Sequence, residues 1–357
     1  MRRLLFILSF FVICTSLFAQ DVETEQDILD AERIVKGYYD EYNIPGMSVS
    51  VYRDGEIIWS KGFGYMDVEK KIPVNPAKTL FRIGSVSKTY TAAGVGVLIQ
   101  RDKLDLEEEV QTYVPHFPEK EYAITVEQVA GHIAGIRHYR GDEFMSSKRY
   151  ETIDEGLEIF EDDTLLFEPG TNYSYSSYGW NLISAVIEGA SGQDFLSFME
   201  KEVFEAMNLN HTMPDYAYKE IPNRTRFYIY DDGENIEAPY VDNSYKWAGG
   251  GFLSTTEDMI RFGEAHLSAG FLNQETLDRL MAPLSTNDGE STNYGIGWRT
   301  MTGPDGSRWL GHSGGSVGGS TMFIIHPEKK VIIAFAINRS NAPLGDLVGK
   351  LPVVFID

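Results

Sequence analysis

Two strand-like pairs lie far apart in this chain of 357 residues, and no other feature restricts the fold as much. The stretch MSVSVYRDGEIIWSKGFGY reads as two strands joined at Asp54-Gly55, a dipeptide that suits a tight hairpin turn. Near the other end, TMFIIHPEKKVIIAFAIN reads as a second hairpin that turns at Pro327–Lys330. Strand pairs at both ends predict one antiparallel sheet built from both, with the middle of the chain inserted as a helical region. The expected class is α/β (α+β). The sheet region is drawn from about 20–103 and 241–357 and the helical region from about 104–240.

Helical spacing marks the elements around that sheet. Ile28, Ala31, Ile34, Val35 and Tyr38 recur at helical intervals. In SVSKTYTAAGVGVLIQ, Val86, Tyr90, Ala93 and Val97 share a face. YGWNLISAVIEGASG ends on a glycine stop signal. In GGFLSTTEDMIRFGEAHL, Ser254 and Glu257 have the spacing of a capping box.

The first 19 residues carry two arginines, an apolar run and a small residue at Ala19, the layout of a cleaved secretory signal. The apolar run is short for a membrane span of about 20 residues. A secreted or periplasmic protein without a stable membrane span follows, with residues 20–357 as its folded part. Cys14, the only cysteine, lies inside the signal, so the mature chain has neither disulfide nor thiol nucleophile. A formal charge of -22 repels phosphate backbones and argues against nucleic acid as a partner.

The chemistry is concentrated in three separated stretches. In FRIGSVSKTY, Ser85 precedes Lys88 by three residues, which on a helix places an amine one turn from a hydroxyl. A serine hydroxyl needs such a neighbouring base, and the lysine acts as one only where its surroundings favour the neutral amine. A serine that starts a helix also offers its backbone N–H to an oxyanion. Taken alone, the pair reads more readily as a helix cap followed by an exposed lysine. EPGTNYSYSSYGW and LGHSGGSVGG are the other two stretches. Taken singly, Tyr175 reads as aromatic packing, Ser177 as a turn residue and His312 as a loop histidine.

In this order and spacing the three stretches resemble the motifs of the serine hydrolase family of class C β-lactamases, D-Ala-D-Ala carboxypeptidases, related esterases and LACTB-type proteins. AGGGFLSTTEDMIRF, YGIGW and IIAFAINR extend the resemblance over nearly the whole mature chain. It implies a β-lactamase/transpeptidase-like fold. Ser85 becomes the nucleophile, and Lys88 and Tyr175 share the proton work. Ser177, His312, Ser313, Gly314 and Gly315 line the substrate, and the N–H groups of Ser85 and Gly315 form the oxyanion hole. No metal or other cofactor is implied. The substrate is a small molecule or peptide; the oligomeric state is left open.

Two positions depart from the family pattern. Ser177 replaces an asparagine and offers a shorter reach and fewer hydrogen bonds. His312 stands where antibiotic-hydrolysing members carry lysine, and a histidine supplies only partial positive charge near neutrality. Both favour an esterase or peptidase over a β-lactamase or D-Ala-D-Ala carboxypeptidase; a non-catalytic ligand binder is the third reading. GGSVG, with Ser316, fits the Gly-x-Ser-x-Gly pattern of α/β-hydrolases, but the strand-like TMFIIHP follows it where a helix is needed. His132 and His138 are expected to shape the site entrance, and their spacing is not that of a zinc motif.

Overall fold

The two terminal hairpins meet in one sheet. The structure, a computed structural model, describes residues 24–303 and 305–356. The expected signal segment, with Cys14, lies outside the described residues. The strands are β1 (Gly46–Arg53), β2 (Glu56–Asp67), β3 (Ile72–Pro73), β4 (Arg299–Thr302), β5 (Arg308–Ser316), β6 (Gly319–His326) and β7 (Val331–Ile337). They form a seven-stranded sheet in the order β3-β2-β1-β7-β6-β5-β4. The two ends of the chain join where β1 pairs antiparallel with β7, Met47 opposite Ile337 and Val51 opposite Ile333. The turn at Asp54-Gly55 is tight because both residues take positive φ, 52° and 107°, the combination a two-residue hairpin turn requires. Strand β6 ends at His326 and β7 begins at Val331, so the second turn also falls on the expected residues.

Both faces of the sheet are covered. Along β7, Val331, Ile333, Phe335 and Ile337 enter one core, while Ile332 and Ala334 enter the other, as the two-residue period of a strand dictates. The first core is closed by helix α1 (residues 24–41), through Ala31, Val35 and Tyr38, and by the C-terminal turns with Leu347 and Phe355. The second contains helix α2 (Ser87–Gln100), buried from Ser87 to Leu98. Its apolar residues go all round rather than along the one face read from the sequence. Such a helix belongs to the middle of a large core. Helix α3 (Ser177–Ser191) packs beside it and stops at Gly192 in the left-handed conformation, as the sequence predicts.

Two local expectations are corrected. Helix α4 (Thr256–Glu264) is capped by Thr255, whose hydroxyl accepts the Asp258 N–H, and not by Ser254. Ser254 is the last residue of a short strand, Phe252–Ser254. Ser85 does not start α2; it occupies a 3₁₀ turn, Gly84–Val86, and the helix begins at Ser87.

Candidate active site

The 3₁₀ turn lifts Ser85 out of the buried helix. Gly84, at φ 50°, makes the approach possible: a Cβ there would lie 2.7 Å from the carbonyl oxygen of Gly315. A Cβ on Gly314 would in turn overlap the carbonyl of Ile83 and come 3.3 Å from the Ser85 nitrogen. Two glycines therefore let the end of β5 run against the serine turn, so the backbones of Ser85 and Gly315 are neighbours. Arg82, ion-paired to the fully buried Asp215 at 2.6 Å, donates to the Val317 carbonyl at 2.7 Å and ties the β5–β6 tip to the same turn.

Lys88, in the first turn of α2, is fully buried. Its Nζ lies 3.1 Å from Ser85 Oγ, 3.2 Å from Ser177 Oγ and 2.6 Å from the Gly249 carbonyl. Burial, reinforced by the charges of Arg299 and Lys246, pushes its pKa well below the ordinary lysine range. The neutral amine has two N–H donors and one lone pair. With the donors on Gly249 and Ser177, the lone pair is left for the Ser85 hydroxyl proton.

Tyr175 lies against this group, its ring centroid 4.9 Å from Lys88 Nζ. Its Oη is buried without a hydrogen-bond partner among the described residues. Burial raises the phenol's pKa, while the Ser85 and Ser177 hydroxyls and Arg299 act in the opposite direction. Ser176 caps α3 by accepting the Gly179 N–H at 3.0 Å, which brings Ser177 to the first helical position and Tyr175 just before it.

The two histidines anchor this second segment. His132 Nδ1 accepts the Ser176 N–H and His138 Nδ1 accepts the Ser177 N–H, both at 3.1 Å. Both must be neutral to do so. Burial pushes His132 well below the ordinary histidine range and His138 down to about 4. His138 borders the cavity as expected, whereas His132 is buried behind Tyr175.

His312 differs from its expected role as a partly charged substrate contact. It is 1 % exposed. Its Nδ1 lies 2.6 Å from the Ser313 carbonyl and its Nε2 3.1 Å from the Tyr294 hydroxyl. Both nitrogens are engaged, and burial with the charges of Lys88 and Arg299 holds the ring neutral. Ser313 and Gly315 are exposed on β5, while Gly314 is buried. Ser316 ends β5 at a hairpin rather than a strand-to-helix elbow, which removes it as an α/β-hydrolase nucleophile.

Two cationic residues near the site were not singled out from the sequence. Arg299, on β4, has its guanidinium carbon 5.2 Å from the Tyr175 ring and 5.5 Å from the Tyr294 ring. Its Nε is buried without a hydrogen-bond partner among the described residues. It directly follows YGIGW, and its position beside a conspicuous stretch was the available signal. Lys246, just before AGGGF, borders the cavity. That cavity, about 580 Å³, is also bounded by Ser85, Tyr175, Ser177, Gly315 and Val317. An activated hydroxyl, two adjacent backbone amides and a phenol around a cavity of this size fit acyl transfer.

Comparison with known proteins agrees in kind. The Beta-lactamase family model matches residues 31–349. The chain is 30% identical to the human serine beta-lactamase-like protein LACTB, mitochondrial, over 94% of this chain and 77% of that protein. It is 28% identical to penicillin-binding protein 4* of Bacillus subtilis, over 80% and 66% respectively. Among solved structures, an octameric penicillin-binding protein homologue from Pyrococcus abyssi superposes with a TM-score of 0.78 at 24% identity, covering 92% of this chain and 76% of the other. A D-stereospecific amidohydrolase from Streptomyces superposes with a TM-score of 0.72 at 20% identity, covering 93% and 96%.

Proposed function

Because this chain belongs to the beta-lactamase family of serine hydrolases, we propose that it is a secreted hydrolase that forms an acyl-enzyme through Ser85 on a small ester, amide or peptide bond. The observation that carries this reading is the buried Lys88 amine, 3.1 Å from Ser85 Oγ and held by the Gly249 carbonyl at 2.6 Å. Lys88 takes the hydroxyl proton as Ser85 Oγ bonds to the substrate carbonyl carbon. The Ser85 and Gly315 N–H groups receive the oxyanion. One such donor is worth roughly 3 kcal/mol in the transition state. Tyr175, between Lys88 and the cavity, passes the proton to the leaving group as its bond to the carbonyl carbon breaks. Water then attacks the acyl-enzyme along the reverse proton route, releasing the acid and restoring Ser85.

A second reading, β-lactam or D-Ala-D-Ala turnover, has one observation in its favour. Arg299 offers a permanent charge near Tyr175, which the neutral His312 does not. Secretion rests on the first 19 residues, whereas the LACTB relatives are named as mitochondrial. Amino-terminal sequencing of the protein recovered from its host, expected to begin near Gln20, tests it.

Intact-mass measurement separates the readings. The protein and Ser85→Ala are exposed to p-nitrophenyl esters, D-amino-acid peptides, penicillins and a fluorophosphonate. Adducts from the fluorophosphonate and ester, absent in Ser85→Ala, support the esterase or peptidase reading. Penicillin adducts with turnover of a chromogenic cephalosporin support the second. A folded protein that takes no label is a binder, and the hydrolase reading is then wrong.

A further inference from the structure

The proton machinery uses one buried lysine and leaves another unexplained. Lys246 is 2 % exposed, and its Nζ makes no hydrogen bond or ion pair among the described residues. Three aromatic rings enclose the ammonium: Phe144 at 4.2 Å, Tyr245 at 5.0 Å and Tyr139 at 5.4 Å to the ring centroids. Ring faces stabilise a cation but accept none of its N–H bonds in the way an oxygen does. A buried charge without an oxygen partner is costly, and proteins keep one where it is used. The open side of the cage is the cavity that holds Ser85, because Lys246 borders that cavity together with Tyr139 and Phe144.

We propose that Lys246 determines specificity by receiving a carboxylate carried on the acyl part of the substrate. The side is set by what surrounds Tyr175. The leaving group collects its proton at that phenol, next to Arg299 and His312. The aromatic contacts of Lys246 are with a different set of rings, Tyr139, Phe144 and Tyr245, whereas Arg299 and His312 pack on Tyr175 and Tyr294. Among the described residues no carboxylate borders the cavity and Lys246 does, in a chain of net charge -22, so an anion is drawn to the cavity and repelled elsewhere. This assignment rests on the hydrolase reading above.

The preference carries a pH signature. Burial and the charge of Arg82 push Lys246 down to about 7, with Asp215 opposing. Of the other groups around it, His138 is pushed down to about 4 and is neutral near pH 7, burial drives the proton off Lys88, and Tyr139 is held protonated by burial. Lys246 changes charge there, cationic below about pH 7 and neutral above it.

The test compares mono-p-nitrophenyl adipate with its carboxamide, two esters that differ only in the charge at the far end of the acyl chain. The wild type is expected to prefer the carboxylate at least tenfold in kcat/KM at pH 6, and the ratio is expected to fall toward one by pH 9. Lys246→Met is expected to bring the ratio near one at every pH. Lys246→Arg is expected to keep it at pH 9. If Lys246→Met loses its cooperative melt, Lys246→Gln takes its place. A wild-type ratio near one at pH 6, or a ratio that persists in the neutral variant, overturns the proposal. If the wild type hydrolyses neither ester and takes no fluorophosphonate, the hydrolase reading fails separately. Calorimetry with adipate against adipamide then decides: carboxylate-dependent binding lost in Lys246→Met retains Lys246 as an anion site, and equal heats remove it.

Discussion

At the residue scale, the site is a set of groups held in unusual protonation states by burial. Lys88 acts as a base only when neutral, so activity rises with pH through its pKa and levels off above it. Burial, Arg299 and Lys246 all drive the proton off, so the rise is expected to be complete well below the range of a free lysine. A pH profile of kcat/KM checks this, and a limb centred near pH 10 would contradict it. Lys88→Met is expected to lower kcat by about 10²–10⁴, the worth of a positioned general base. His138 allows a second prediction. His138→Leu leaves the Ser177 N–H without its acceptor, at a cost of about 1–3 kcal/mol in stability by urea melting. The identities of Ser85, Lys88, Tyr175 and Ser177 were legible because the motif order carries them. The state of His312 was not: a sequence shows a histidine in a loop-like stretch, but not that Tyr294 and the Ser313 carbonyl occupy both of its nitrogens.

At the element scale, the positions where the chain must turn were the most legible. Asp54-Gly55 and Pro327–Lys330 lie between apolar runs; Asp54 and Gly55 take the left-handed conformation their types favour, whereas Lys330, at φ 50°, takes it against the preference of its type. Boundaries set by hydrogen bonds were less so. Ser254 and Thr255 are adjacent and chemically alike, and only the end of a short strand makes Thr255 the cap. Likewise, nothing local separates the 3₁₀ turn at Ser85 from the helix after it; the approach of β5 does. That approach yields a third prediction. Gly84→Ala adds a Cβ 2.7 Å from the Gly315 oxygen at a residue with φ 50°. The expected strain is about 1–3 kcal/mol, and the two proposed oxyanion donors move apart. Acylation by a p-nitrophenyl ester should slow far more than Tm falls, whereas Ala substituted at Gly270, where a Cβ has open space, should change neither.

Across the whole molecule, six basic side chains bias stability in one direction with pH. Folding lowers the pKa of His132, His138, His266, His312, Lys88 and Lys246. A group with a lowered folded pKa binds more protons in the unfolded chain at intermediate pH, so stability rises with pH there. For His138 and His266 that window runs from about 4 up to the ordinary histidine value of 6.5. For Lys246 it runs from about 7 to 10.5. Asp258 and Glu188, raised by burial, act in the opposite direction in the acid range, while Glu143 and Asp163, lowered beside Arg137, reinforce the trend. Tm is therefore expected to climb from pH 4.5 to pH 8. His266 isolates the effect, because it is 2 % exposed, does not border the cavity, and is bonded through Nδ1 to the Phe262 carbonyl. Its shift corresponds to roughly 3 kcal/mol lost on acidification from pH 7 to 4, at about 1.4 kcal/mol per pKa unit. His266→Phe should flatten the acid side of a Tm-against-pH curve by that order, and a variant with the full wild-type slope would show that this ring is protonated as easily in the folded chain as in the unfolded one.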